Sequence, residues 1–173
     1  MSEEKNPMLE IVMDKVTVNI GVGEAGERLI KARKVLELVT KRRPIVTISK
    51  TTNRDLGIRQ GQEIGCKVTL RGESAEEFLK RAFWTRNNKI AGYSFDPDGN
   101  FSFGIADYTD FEGMKYDPEI GIVGMDINVT LRRRGKRVSQ RYRLQRKIPQ
   151  RHRITHNDGR KFLCSKFNLE VVE

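Results

Sequence analysis

The chain has 173 residues and a net charge of +10, with 37% apolar and 32% charged residues; this length suits one domain with a proper core, because two cores would each be small. The N-terminus lacks the basic start and apolar run of a signal peptide, and no apolar stretch nears the roughly 20 residues that span a bilayer, so a soluble, intracellular protein is expected. Cys66 and Cys164 lie far apart in a chain expected to stay reduced, which predicts packing residues rather than a disulfide.

The first half of the chain combines strand and helix patterns. Apolar and polar residues alternate at 15–20, which predicts a strand with one buried face. From residue 24 onward, apolar residues recur at helical spacing, and Pro44 ends this amphipathic helix. A short strand at 45–48 and an exposed polar loop, SKTTNRDLGIRQG, then precede a second alternating strand at 63–71.

The second half continues with the same two kinds of pattern. Ser74 and Glu77 have capping-box spacing, so a second helix is predicted to start there. The turn sequence DPDGN precedes a short strand at 101–105, and a final alternating strand covers 123–131. A short terminal helix in THNDGRKFLCSKF has Thr155 as a candidate cap.

The polar faces of these strands determine the predicted fold class. A strand with one polar face is not sandwiched between two helical layers. The sequence therefore predicts an α+β fold in which an antiparallel or mixed sheet carries helices on one face and leaves the other open for a ligand. The predicted division is an α+β domain at 1–131 and a basic C-terminal extension with a short terminal helix at 132–173.

The charge is concentrated in one segment, RRRGKRVSQRYRLQRKIPQRHR, at residues 132–153. It holds eleven Lys and Arg side chains and no acid, whereas the rest of the chain holds 22 basic and 23 acidic residues. Such a run repels itself and cannot build a core, but it suits a polyanion. We expect it to lie along a polyanion and to become ordered only there, with Tyr142 and His152 as candidate stacking groups.

The stretch VTVNIGVGEAGERLIKARKVLEL contains Gly21, Gly23 and Gly26 in the spacing of a dinucleotide-binding loop. Such a site also needs a buried parallel strand and an acidic residue about 20 positions on to bind the ribose. The strand here has a polar face, and no acid occurs between Glu37 and Asp55. An NADP-dependent oxidoreductase stays an alternative, because a basic residue can replace that acid, but a tight turn at a strand end is favoured.

Five motifs occur in the order and at about the spacing of one known family: NIGVG, PIVTISK, GIRQGQEIGCKVTLRG, GNFSFGI and YDPEIGIVGMDINV. Over residues 16–131 the chain resembles the fifth universal protein of the large ribosomal subunit, whose family binds 5S ribosomal RNA. The basic segment and HRIT followed by a helix resemble the archaeal and eukaryotic branch. Two departures from bacterial members are TKRRP in place of TGQKP, and Leu56 in place of an aromatic residue.

The resemblance implies a structural protein of the cytoplasmic large subunit, in the central protuberance. The implied partners are 5S rRNA, large-subunit rRNA, the P-site tRNA, a small-subunit head ribosomal protein at an intersubunit bridge, and neighbouring 5S-associated ribosomal proteins. The family's RNA-contacting Asn and Thr correspond to Asn19 and Thr69, which both lie on the polar strand faces. Gly21 and Gly23 are expected to let backbone N–H groups approach a phosphate.

Three sets of residues are therefore expected to contact RNA. The rRNA-binding set is Asn19, Gly21, Gly23, Arg42, Arg43, Thr47, Lys50, Thr69 and Arg71. The tRNA-contacting loop is Thr51, Thr52, Asn53 and Arg54, in a loop expected to be mobile when free. The basic tail on rRNA is Arg132, Arg133, Arg134, Lys136, Arg137, Arg141, Arg143, Arg146, Lys147, Arg151 and Arg153.

Other chemistry is not indicated by the sequence. No nucleophile, base and orienting partner can be assembled, so no enzyme activity and no cofactor are expected. His152, His156 and Cys164 have a spacing that hints at a metal, but a fourth ligand is lacking and the segment is cationic, so no metal is expected. A peripheral membrane protein using the basic run is disfavoured, because Val138, Tyr142, Leu144 and Ile148 are too few for an amphipathic anchor.

Overall fold

The structure is a computed structural model that describes residues 6–172. Its helices are α1 (Glu27–Thr40), α2 (Glu73–Thr85) and α3 (His156–Phe167). Its strands are β1 (Ile11–Gly21), β2 (Ile45–Ile48), β3 (Glu63–Leu70), β4 (Lys89–Ala91), β5 (Phe101–Ile105), β6 (Met125–Arg133) and β7 (Glu170–Val172).

Five of the strands form one sheet in the order β2-β3-β1-β6-β5, and all of its pairings are antiparallel. A β-bulge interrupts the pairing of β1 with β6 between Met13 and Lys15, so that Asp14 is the extra residue. The predicted α+β fold with an antiparallel sheet is confirmed. The parallel pair of β4 and β7 forms a separate two-stranded sheet, which the sequence patterns did not predict.

The core lies between one face of the five-stranded sheet and the helices. Val16 and Val18 of β1 are fully buried, as the alternating pattern predicted. The ring of Phe83 on α2 lies 5.4 Å, centroid to centroid, from Phe103 of β5 and meets Phe167 of α3 edge-on at 5.2 Å. All three helices therefore contribute to one apolar core, and α3 is part of it although it follows the basic segment.

The start of α3 packs directly on the turn that precedes β5. Thr155 caps the helix in a capping box with Asp158, which confirms the predicted cap. A Cβ atom on Gly159 would lie 2.5 Å from the carbonyl oxygen of Gly99, so only glycine permits this approach. Gly99 itself has φ +72°, a conformation that the DPDGN turn requires.

Two local predictions are corrected by the structure. The N-cap of α2 is Gly72, with φ 61°, and no side chain caps the helix, so the predicted capping box of Ser74 and Glu77 is wrong. Cys66 is buried in the core, but Cys164 is exposed on α3 and is not a packing residue. The strand β6 continues to Arg133, so it runs past the predicted domain division at residue 131, which stays a prediction.

Candidate nucleic-acid interface

The sheet face opposite the helices carries a grid of polar side chains. Strand register aligns four small polar residues across it: Thr69 is paired with Thr17, Thr17 with Asn128, and Asn128 with Ser102. The neighbouring row is Lys67, Asn19, Asp126 and Gly104. Thr69, Asn128 and Ser102 are exposed and Asn19 is half-buried, so no helix of the described residues covers this face.

The alternating sequence patterns place each of these side chains on a polar face, but only the register brings them together. Asn19 and Thr69 do share one face, in adjacent rows. Sequence reasoning missed that Thr17, Asn128 and Ser102 complete the row of Thr69. Hydroxyl and amide groups both donate and accept hydrogen bonds, so this grid can bind ribose hydroxyls and base edges.

The glycine turn lies at one end of the open face. The N–H groups of Val22 and Gly23 both donate to the carbonyl oxygen of Ile64, at 2.9 and 2.8 Å. The N–H of Gly23 is therefore already used within the protein, and an RNA contact at this residue needs other atoms. Close by, Gly65 pairs with Thr47, and a Cβ on Gly65 would lie 2.6 Å from the carbonyl oxygen of Ile20.

The topology excludes the dinucleotide alternative. A dinucleotide-binding fold needs a mostly parallel sheet with a βαβ crossover after the glycine turn. Here β1 is antiparallel to both of its neighbours, β3 and β6. The oxidoreductase alternative based on Gly21, Gly23 and Gly26 is therefore wrong, and these residues connect the end of β1 to the N-cap of α1.

A basic edge continues from the glycine turn along β2. Arg42 and Arg43 follow α1 and are exposed, and a guanidinium nitrogen of Arg42 donates to the hydroxyl of Ser74 at 3.3 Å. Lys50 follows β2 and is exposed as well. These cations lie in the loops at the edge of the sheet rather than among the small polar side chains of its open face.

The loop between β2 and β3 is a hairpin held by its own hydrogen bonds. Asn53 and Ile58 exchange two backbone hydrogen bonds of 2.8 and 2.9 Å. The N–H of Gln60 donates to the hydroxyl of Thr52 at 3.0 Å, while Thr51 and Arg54 of the same loop are exposed. The backbone hydrogen bonds supply internal contacts that apolar side chains do not, and the expected mobility of the free loop stays a prediction.

Asp14, the bulge residue, binds two of the predicted RNA-contacting arginines. Its Oδ1 accepts from Nη1 of Arg71 at 3.0 Å and forms an ion pair with Nε of Arg132 at 3.4 Å. The Asp14 side chain is only 10% exposed, whereas Arg71 and Arg132 are 62% and 42% exposed. The carboxylate thus fixes both guanidinium groups at one end of the sheet while both stay accessible.

The first part of the basic segment is bound within the protein. Arg133 forms an ion pair of 3.0 Å with Asp158 in the capping box of α3, and its side chain is only 16% exposed. Arg134 forms an ion pair of 2.9 Å with Glu10. Further along, Arg141, Arg143, Arg146, Arg151 and other basic residues are exposed. The acidic partners, Asp158 and Glu10, lie outside residues 132–153, so a count of charges within the segment could not reveal these ion pairs.

The remaining candidate groups have structural surroundings. His152 Nε2 lies 3.0 Å from the carbonyl oxygen of Arg134, and His156 packs edge-on against Phe95. Among residues 6–172, no three His, Cys, Asp or Glu side chains are grouped to hold a metal ion. Burial raises the pKa of the Cys66 thiol to about 11, against a smaller opposing effect of the Arg33 charge. This thiol stays protonated near neutral pH.

No helix within residues 6–172 combines the length and the apolar character needed to cross a membrane.

Two family models match the chain. One is described as "Ribosomal protein L5" and matches residues 6–59; the other describes the C-terminus of the same ribosomal protein family and matches residues 63–164. Together they cover the strands of the open face and the whole of the basic segment.

The chain is also similar to proteins that carry the name "Large ribosomal subunit protein uL5". The one from Picrophilus torridus is 53% identical over 173 residues, which covers 99% of this chain and 98% of the relative. The one from Thermoplasma acidophilum is 51% identical over 168 residues, covering 96% and 99%. The one from Sulfurisphaera tokodaii is 50% identical over 169 residues, covering 97% and 96%.

Proposed function

The chain belongs to the ribosomal protein L5 family, and we propose that within it this protein binds 5S rRNA through the open face of its sheet. Membership confirms the resemblance found in the sequence motifs, including its archaeal character. It makes the chain an RNA-binding protein of the large ribosomal subunit, which acts in translation in the cytoplasm. The proposed role is binding and scaffolding rather than catalysis.

The uncovered polar grid is the observation that carries this proposal. The row from Thr69 to Ser102 offers only small uncharged groups, which suit ribose and base edges, while Arg42, Arg43 and Lys50 lie at the edge and suit phosphates. Small uncharged groups along one row, with Lys67 in the neighbouring row and further cations at the edge, support folded RNA as the partner.

The other partners are proposed from family membership and from the position of the loops. The hairpin between β2 and β3, with Thr51 and Arg54 exposed, is the proposed contact to the P-site tRNA. The exposed cations of residues 132–153 are the proposed contact to large-subunit rRNA, by which the protein attaches 5S rRNA in the central protuberance. A small-subunit head protein and neighbouring 5S-associated proteins complete the proposed set.

A titration with 5S rRNA tests the role of the open face. Asn19→Ala and Thr69→Ala should each weaken binding while leaving the melting temperature nearly unchanged, since neither side chain belongs to the core. Asn157→Ala, at an exposed position on α3, is the matched control and should leave the affinity unchanged. Unchanged affinity in both face variants, or binding of the wild type that is flat across salt concentrations, would contradict the proposal.

A further inference from the structure

A cavity of about 280 Å³ lies beside the end of β6, away from the grid formed by Asn19 and Thr69. The turn before β5 forms one wall, β6 forms another, and the returning chain at 147–154 closes the third. Its volume is near the lower end of the range for small-molecule sites. We call it the β6 pocket.

The basic segment folds back to build the β6 pocket. The N–H of Arg146 donates to the carbonyl oxygen of Val138 at 3.1 Å, and the side-chain amide of Gln145 donates to the carbonyl oxygen of Ser139 at 2.5 Å. A carbonyl oxygen only accepts, so the 3.0 Å contact of His152 Nε2 with Arg134 places the ring hydrogen on Nε2. These bonds hold the returning chain against residues 134–139, which follow β6, so the pocket is formed by the protein alone.

Cations dominate the lining of the β6 pocket. Arg132 and Arg133 line it but have carboxylate partners in Asp14 and Asp158. Lys136, Lys147 and Arg153 line it too, and within residues 6–172 no carboxylate oxygen lies within 4.0 Å of their charged groups. The lining carboxylate Asp98 offsets only part of this charge.

The excess of positive charge in the lining favours an anionic ligand. Five cationic side chains line the β6 pocket, against one carboxylate, that of Asp98. A phosphate group offers the anionic oxygens that Lys136, Lys147 and Arg153 can bind. The β6 pocket therefore suits a phosphate.

The apolar part of the lining favours a phosphate that carries a nucleobase over inorganic phosphate. Leu131 and Ile154 are buried at the bottom of the β6 pocket, and Ile148 is half-buried beside them. An inorganic ion gains nothing from such a surface, whereas the ring of a nucleobase buries apolar area on it. We propose that the β6 pocket binds one unstacked nucleotide of single-stranded RNA, with Lys136, Lys147 and Arg153 on its phosphates and the base against Ile148 and Ile154.

This inference rests on the proposed function in taking RNA as the partner, but it concerns a site separate from the open sheet face. It also changes the role expected of the basic segment, which becomes the wall of a shaped site rather than a tether. A nucleotide pocket should bind RNA with bases more tightly than a ribose–phosphate chain without them. A segment that only attracts phosphates by its charge would not distinguish the two.

Binding of a five-residue oligoadenylate tests the proposal with two triple variants of the full chain. The first combines Lys136→Ala, Lys147→Ala and Arg153→Ala. The control combines Arg143→Ala, Arg146→Ala and Arg151→Ala, which removes the same charge from exposed positions of the same segment outside the pocket. We expect the pocket triple to lose at least tenfold more affinity than the control, and the wild type to bind an abasic oligonucleotide at least tenfold more weakly.

Three outcomes would overturn the proposal. Equal losses in the two triples would show that the cations act as a tether. Equal binding of the abasic oligonucleotide would leave a site for phosphate only. Weakening of oligoadenylate binding by Asn19→Ala would place the site on the open face, which would leave the 5S rRNA proposal intact.

A measurement on the wild type keeps the test valid if the pocket triple fails to fold. Titration with adenosine 5′-monophosphate should shift the backbone amide signals of Ile148 and Ile154 to saturation, whereas inorganic phosphate should shift them less. An absence of shifts at millimolar nucleotide, or equal shifts with phosphate, would overturn the proposal.

Discussion

The carboxylate of Asp14 accepts a 3.0 Å hydrogen bond from Arg71, a residue 57 positions away in the sequence. The same Arg71 nitrogen also donates to the backbone carbonyl oxygen of Asp14 at 3.2 Å. The β-bulge makes this possible, because the extra residue in β1 lies outside the regular pairing. Asp14 thereby connects the end of β3 to the end of β6, where Arg132 shares the same oxygen.

Asp14→Asn should lower the free energy of unfolding by about 1 kcal/mol, because two charge-assisted contacts are weakened while both arginines keep access to water. The salt dependence of 5S rRNA binding should keep its slope, since both cations remain. Chemical denaturation and binding titrations at several salt concentrations measure the two effects.

Glu10→Gln is the control for this variant. It weakens the ion pair of Glu10 with Arg134, in which both side chains are more than half exposed, so its effect on stability should be smaller. A larger loss for Glu10→Gln than for Asp14→Asn would contradict the structural role given to Asp14.

Gly159→Ala should destabilise the protein by about 1–3 kcal/mol, although alanine is normally the better helix former by about 1 kcal/mol. The reason is the 2.5 Å distance from the added Cβ to the carbonyl oxygen of Gly99, which is backbone and cannot move aside without moving the turn. Thermal or chemical denaturation measures the change. Cys164→Ala, at an exposed position of the same helix, should stay within about 0.5 kcal/mol of the wild type. Stabilisation by Gly159→Ala would show that the turn and the helix are further apart than described.

The sequence predicted the elements better than it predicted how they meet. Alternation assigns Asn19 and Thr69 to polar faces because the strand period is two residues, but it says nothing about register, so the row that includes Asn128 could not be foreseen. Ser74 and Glu77 have the spacing of a capping box, yet the helix begins from Gly72 because the chain turns there with positive φ. Strands of three residues, such as β4, are too short to show any period.

The basic segment illustrates the same limit for charge. Within residues 132–153 there is no acid, and that count alone predicts a repelling, extended chain. The acids that bind its first residues all lie outside the segment: Glu10 and Asp14 are near the start of the chain, and Asp158 is in α3, which follows the segment. Ion pairs that form only in the folded protein therefore fix the first residues of a segment whose own sequence contains no acidic partner.

Leu163→Ala should cost about 2–5 kcal/mol, because Leu163 on α3 is fully buried and its truncation leaves a cavity in the core. Chemical denaturation should show a single transition in both proteins if α3 unfolds together with the sheet. Ser165→Ala, exposed on the same helix, is the matched control. A loss below about 1 kcal/mol, or a separate early transition, would show that the residues after β6 fold apart from the sheet, as the predicted division at residue 131 would allow.

Asp158 gives the stability a predictable dependence on pH. Burial acts to raise the pKa of this carboxyl, but the hydrogen bonds from the backbone and side chain of Thr155 and the charges of Arg133 and Lys161 outweigh it, so the pKa lies below its usual value. A carboxyl whose pKa is lower in the folded than in the unfolded protein stabilises the fold above its unfolded pKa of about 3.9 and loses that contribution as the pH falls through the folded value.

Asp158→Asn should therefore be less stable than the wild type at pH 7, and the gap should close as the pH falls below about 4. The difference in stability between the two proteins at each pH is free of the contribution of the other carboxyl groups, because both proteins share those groups. The asparagine keeps an oxygen that can accept from the N–H of Thr155, so the variant isolates the charge from the cap. Melting temperatures of the two proteins from pH 7 to pH 2 measure the gap. A gap that stays constant across this range would mean that the charge of Asp158, and with it the ion pair to Arg133, contributes nothing to stability.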